Sequence, residues 1–173
     1  IYSQKSNQMK KLCSTSAFAV FLLFFVSVLQ AQTKQTKLDQ IELMKQFLGS
    51  WKCEVAKDTI CYWDIKAFGT GVEGYFKYVT KGEIVTEGKE LWGYDKTTDK
   101  FILSEIIKGV DIALYITWFS PKNKCVMFPY GDISNSEGST SKWEVEFTSP
   151  DLLVETTFVN NNPIKIDTFT RVK

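Results

Sequence analysis

The side chains in this chain best able to do chemistry are carboxylates. Glu73, Glu83, Glu87, Glu90, Glu105, Glu144, Glu146 and Glu155 recur through its C-terminal two thirds. Two of them meeting across a sheet would supply the acid and base of general catalysis. Their spacing specifies no such pair, and solvated strand faces account for nearly all of them. Glu90 stands apart because it shares strand parity with Trp92 and Tyr94. The usual partner of such groups is missing, since the chain contains no histidine. That removes Ser–His–Asp and Cys–His nucleophiles together with His-ligated zinc and haem. No catalytic residue, metal or cofactor is therefore assigned, and an enzyme is the least supported reading.

The four cysteines add little chemistry. Cys13 precedes an apolar run, so it is not the acylated cysteine of a lipoprotein, which follows one. No Cys-x-x-Cys pair supports a redox or zinc site. Cys53 and Cys61 flank a turn at Lys57-Asp58. A two-residue loop would put them on opposite strand faces and a three-residue loop on the same face, so a disulfide and buried free thiols both stay open. The oxygen-rich run Asp132 to Gly138 lacks the spacing of a calcium loop and reads as exposed. Gly69-Thr-Gly71 reads as a hairpin turn, because no helix follows to cradle a phosphate.

Aromatic residues are the more informative group. Trp63, Phe76, Tyr78, Trp92, Tyr115, Trp118, Phe128 and Trp143 are numerous enough to line an apolar cavity, or to fill a core. Glu90, Tyr94 and Tyr115 are the polar groups expected to orient a ligand in such a cavity. The elements that must position them follow from periodicity. Leu38, Ile41, Leu43, Met44, Phe47 and Leu48 recur at helical spacing and stop at Gly49, which gives one short N-terminal helix. Beyond it, turn residues fall at Lys57-Asp58, Gly69 to Gly71, Lys81-Gly82, Asp95 to Asp99, Lys108-Gly109, Ser120 to Asn123, Gly131 to Thr140, Ser149 to Asp151 and Asn160 to Pro163. They divide the chain into about ten short strands rich in Val, Ile, Thr, Tyr, Phe and Trp. Trp143, Val145 and Phe147 share one face, and Ile164 and Ile166 are expected to do the same. Cys61, Trp63, Ile65 and Ala67 share a parity. The segment from Ile112 to Phe119 is apolar on both faces except at Thr117, so its outer side needs a cover, for which the helix is the candidate. Regular short strands without long crossovers predict an all-β fold: a single antiparallel up-and-down barrel.

The N-terminal region reads as processing sequence. Met9-Lys10-Lys11, the apolar run Ala17 to Leu29 and Gln30-Ala31-Gln32 have the layout of a secretory signal peptide over residues 9–31, too short for a spanning helix. Residues 1–8 then read as upstream of the true start, 32–36 as a flexible lead-in and 37–173 as the barrel with its helix. The expected location is the periplasm or the extracellular space, with no membrane span once the signal is removed. The whole chain carries a formal charge of +1, and removing the signal lysines turns this into a slight acidic excess. Neither value leaves an electrostatic footprint for nucleic acid.

Short motifs point to a family. Gly49-Ser50-Trp51 opens the first strand directly after the helix and resembles the Gly-x-Trp signature of calycins and lipocalin-like domains. Leu91-Trp92-Gly93-Tyr94-Asp95 followed by Lys100-Phe101 resembles the mid-barrel turn of secreted lipocalin-like domains of unknown function. Thr168-Phe169-Thr170-Arg171 resembles their closing strand. The chain departs from nitric-oxide-binding haem barrels, whose iron-ligating histidine has no counterpart here. Arg171 is the only arginine in the chain. The resemblance implies that it packs over the Trp51 indole and closes the barrel beside Gly49. An interior arginine gripping a ligand carboxylate is the competing role, but the Arg-x-Tyr pattern of fatty-acid-binding proteins fails at Lys173. The expected function is non-covalent binding of a small apolar or amphipathic ligand, with Trp63, Phe76, Tyr78, Glu90, Trp92, Tyr94, Tyr115 and Trp118 around it. The alternative is a filled barrel acting through its surface as an envelope interaction or inhibitor protein.

Overall fold

Ten strands follow a short helix in chain order, as seen in a computed structural model that describes residues 37–131 and 139–173. The expected signal segment, Cys13 and the whole oxygen-rich run at 132–138 lie outside the described residues. The helix α1 (Gln40–Met44) is capped by the Asp39 carboxylate, which accepts from the Glu42 amide at 3.0 Å. It runs into a 3-10 turn (Lys45–Phe47). The strands are β1 (Gly49–Ala56), β2 (Thr59–Phe68), β3 (Gly71–Thr80), β4 (Glu83–Asp95), β5 (Lys100–Ile107), β6 (Ala113–Phe119), β7 (Lys124–Pro129), β8 (Ser141–Ser149), β9 (Leu152–Val159) and β10 (Asn162–Arg171). Each pairs antiparallel with its neighbour in sequence, and β1 pairs with β10 to close the barrel.

Tight turns set this meander. Lys81 and Gly82 both have positive φ, as do Asn160 and Asn161, the backbone that type I′ hairpins require. The turn between β1 and β2 has two residues, yet Cys53 and Cys61 sit directly opposite each other on the inner face. The expectation of opposite faces for a two-residue loop is overturned by a β-bulge between Glu54 and Ala56, which adds one residue to β1. Both thiols are buried and unbridged.

Two further expectations change. Ile164 and Ile166 point outward, 62% and 65% exposed, while Asp167 and Phe169 are the buried residues of β10. The strand follows Phe169 and Arg171 inward, because Arg171 is locked in register opposite Trp51. The helix does not lie over the outer face of β6. Gln40 instead binds the end of β6, donating to the Phe119 carbonyl at 3.0 Å and accepting from its amide at 2.7 Å. On that outer face Ile116 is buried beside its partners Ile102 and Phe128, while Ile112 and Leu114 stay exposed.

α1 and the 3-10 turn plug one end of the barrel. Met44 and Phe47 are fully buried among Trp51, Phe101, Phe119, Phe147 and Leu153. Phe47 is the centre of this packing, with ring centroids 4.9 Å from Phe147, 5.1 Å from Trp92 and 5.7 Å from Trp63.

Candidate functional site

Above Phe47 the interior is not filled. A cavity of about 260 Å³ occupies the half of the barrel away from the helix, with Phe47 as its floor. Trp63, Phe76, Trp92, Tyr115 and Trp143 wall it, together with Tyr78, Met127 and Ile107. Two glycines make room for these rings. A Cβ on Gly88 would stand 2.4 Å from the Phe76 ring, and one on Gly74 would stand 2.8 Å from the Glu90 carboxylate. Tyr115 and Trp143 meet edge to face at 5.4 Å on the far wall.

Three carboxyl groups border the cavity: Glu90, Glu105 and Glu155. Glu90 Oε2 accepts from the indole N–H of Trp63 at 2.9 Å and of Trp92 at 3.2 Å. Burial and the neighbouring Glu105 push Glu90 up to about 8 in spite of these bonds. Glu105 is its direct cross-strand partner, and burial raises it as well, opposed by a hydrogen bond between the two carboxyls. Glu155, on β9, is pushed up to about 7 by burial and then by Asp167, with Lys165 acting against the shift. Burial drives the thiols of Cys61 and Cys125 up to about 12, and raises the Tyr78 and Tyr115 phenols. At neutral pH these thiols and phenols are uncharged, and the carboxyl cluster retains part of its protons.

Of the residues expected around a ligand, Trp63, Phe76, Tyr78, Glu90, Trp92 and Tyr115 line the cavity. Tyr94 and Trp118 do not. The Tyr94 hydroxyl donates to Asp99 at 2.5 Å near the plugged end. Trp118 faces outward, stacked on Phe128 at 5.4 Å with the Lys100 ammonium 3.7 Å from its ring. Sequence reasoning passed over Glu105 and Glu155 as solvated. Parity with Phe101 and Leu103 marks Glu105 as inward, but Ile102 and Ile106 make the opposite face equally apolar, so alternation in β5 gives no direction.

The closing residues form a separate, structural cluster. The Arg171 guanidinium lies 4.1 Å over the Trp51 ring. Its Nη1 donates to the Leu48 carbonyl, its Nη2 to Gln46 at 3.2 Å and its Nε to Pro150 at 2.9 Å. Trp51 Nε1 donates to the Phe47 carbonyl at 2.8 Å. The carbonyls of Gln46, Phe47 and Leu48, which end the helical segment, are thus all satisfied by side chains from the two closing strands. Gly49 has φ +117°, and a Cβ there would stand 2.5 Å from Arg171 Nη1. Only glycine allows the approach.

Among the described residues no group of three or more His, Cys, Asp or Glu side chains is placed to hold a metal ion. The arrangement defines a class: an antiparallel ten-stranded barrel plugged at one end, with an acidic, aromatic cavity in the other half. Comparison with protein-family models and with curated proteins gave no match.

Proposed function

We propose that this chain is an exported, lipocalin-like barrel that holds a small amphipathic molecule non-covalently in its interior. The observation that carries the reading is the cavity itself. A barrel that acted only as a rigid surface would gain from packing its core throughout, whereas this one leaves about 260 Å³ between aromatic walls and inserts carboxyl groups there. Apolar walls with a few convergent polar groups are the usual make-up of a small-molecule site. Burial of ligand surface would supply affinity at about 25 cal/mol per Å², and Glu90, Glu105 and Glu155 would fix orientation. The lipocalin-like reading is further supported by Gly49-x-Trp51 under the Arg171 guanidinium at the barrel seam.

Native mass spectrometry of protein purified from its own envelope tests the reading. A co-purifying molecule of a few hundred daltons, released on denaturation, is the expected result. Ligand-free protein that also fails to take up small aromatic probes would favour action through the surface. Export is tested separately by N-terminal sequencing of the mature protein, with a start near Gln32 expected and a retained Met9 on soluble protein overturning it.

A further inference from the structure

The polar groups of the cavity have one sign. Glu90, Glu105 and Glu155 reach it from β4, β5 and β9, and no lysine or arginine lines it among the described residues. Lys165, an exposed base on β10, is paired with Asp167 at 2.6 Å. Glu105 stands opposite Glu90, and Glu155 opposite Asp167. Like charges placed directly across a ladder oppose folding, the more so inside a barrel. Glu90 is relieved by two indole donors. Glu155 is not. Its side chain is half-buried and borders the cavity, and no hydrogen bond to its carboxyl is found among the described residues. A carboxyl without a hydrogen-bond donor, bordering a space walled by indole rings, is suited to be half of an ion pair, with ring faces ready for the same partner.

We infer that the occupant is an organic cation, a compact protonated amine or quaternary ammonium seated between Glu105 and Glu155 with its apolar body among Trp63, Trp92 and Trp143. The inference rests on the binding function proposed above and adds the charge of the ligand. An anion would meet three carboxyl groups and no base. A neutral ligand would leave Glu155 without a partner. A cavity of about 260 Å³ lies below the usual ligand-pocket range of about 300–1,000 Å³ and suits a compact cation rather than a long acyl chain. Binding a fixed positive charge favours the ionised carboxylates, so protons leave as the ligand enters and affinity climbs from pH 6 to 8. The other titratable groups in or beside this half of the barrel are Cys53, Cys61, Tyr78, Tyr115 and Cys125, each raised by burial, together with the Lys165–Asp167 pair; Tyr94 and Arg171 lie toward the plugged end. The raised thiols and phenols stay protonated across that range.

Three probes of nearly equal shape separate charge from size: phenyltrimethylammonium, tert-butylbenzene and benzenesulfonate. Titrated into the unmodified protein and followed by calorimetry and tryptophan fluorescence, the ammonium probe is expected to bind at least tenfold tighter than the neutral one. Benzenesulfonate is expected to bind more weakly still. The ammonium affinity should rise several-fold between pH 6 and 8, with proton release seen in buffers of different ionisation enthalpy. Glu155→Gln removes charge without removing a hydrogen bond. It should weaken the ammonium probe about tenfold and leave tert-butylbenzene unchanged, and Glu105→Gln should act in the same direction. Equal or tighter binding of tert-butylbenzene or benzenesulfonate would overturn the cation assignment and leave the binding function standing. So would a Glu155→Gln protein that loses all probes alike. If none of the three probes binds, the cation assignment fails, and an absence of any co-purifying molecule would then remove the binding function as well.

Discussion

Arg171 shows why one position in a lysine-rich chain holds arginine. Its guanidinium donates to three backbone carbonyls, on Gln46, Leu48 and Pro150, while its face lies on Trp51. An ammonium group is a point charge that lacks the planar fork and stacks less well. Arg171→Ala leaves these acceptors to water or to nothing and removes the cation–π contact. It should lower stability by about 2–3 kcal/mol in a urea titration. Arg171→Lys should recover only a minor part. Trp51→Ala truncates a fully buried core residue and should cost about 3–5 kcal/mol. Because the two side chains touch, the double variant should lose clearly less than the sum, and losses additive within about 0.3 kcal/mol would show that they are energetically independent. Gly49→Ala is expected to resemble loss of Arg171, since the added methyl occupies the guanidinium's place at a backbone angle only glycine holds without strain.

The strands differ in how securely they are held. β2 and β3 are in register from Thr59–Thr80 to Phe68–Gly71, whereas β1 and β10 are in register only at Trp51–Arg171 and Lys52–Thr170. The seam is therefore the first place for the barrel to open. Hydrogen exchange should find the amides of Lys52 and Thr170 less protected than those in the middle of β2 and β3; equal protection would mean that the barrel opens only globally. The same packing governs the thiols. Cys61 and Cys125 border the cavity but are raised to about 12 by burial, so iodoacetamide at pH 8 should label the native protein far more slowly than the urea-unfolded chain, and equal rates would contradict the raised thiols. The strands that carry these residues were legible in the sequence because Gly, Asn and Asp punctuate them at hairpin spacing. Facing was less legible. In β1 a bulge reverses parity without any glycine to announce it. In β10 two isoleucines suggest one face, and the contacts of Phe169 and Arg171 select the other. Trp118 carries an aromatic ring that counts equally as lining or as outer stack, and only its pairing with Phe128 settles which.

Taken whole, the barrel has a dense half that supplies stability and a half with a cavity that opposes it through buried acids. This division has a consequence for the pH dependence of folding. Glu90 has an ordinary value of 4.5 and is raised to about 8 in the folded protein; Glu155 is raised to about 7, and Glu105 moves in the same direction. Between pH 4.5 and 8 the folded state thus binds more protons than the unfolded chain. Stability must then fall as pH rises, because its slope follows protons bound unfolded minus protons bound folded. The contribution of Glu90 is fully present below 4.5 and is lost as pH passes through 8. Carboxylates shifted the other way, Glu87, Asp95 and Glu144, add their stability as they ionise, below that window, and so cannot offset the decline above pH 5. Urea denaturation at pH 5, 6, 7 and 8 should show greatest stability near pH 5 and a steady drop toward 8. Glu90→Gln keeps an oxygen to accept from both Trp63 and Trp92 while removing the titration. The variant should match the parent near pH 5, exceed it at pH 8, and show a flatter profile between. Parallel curves for parent and variant would mean that Glu90 is ionised in the folded barrel throughout, with its charge met by something other than a retained proton.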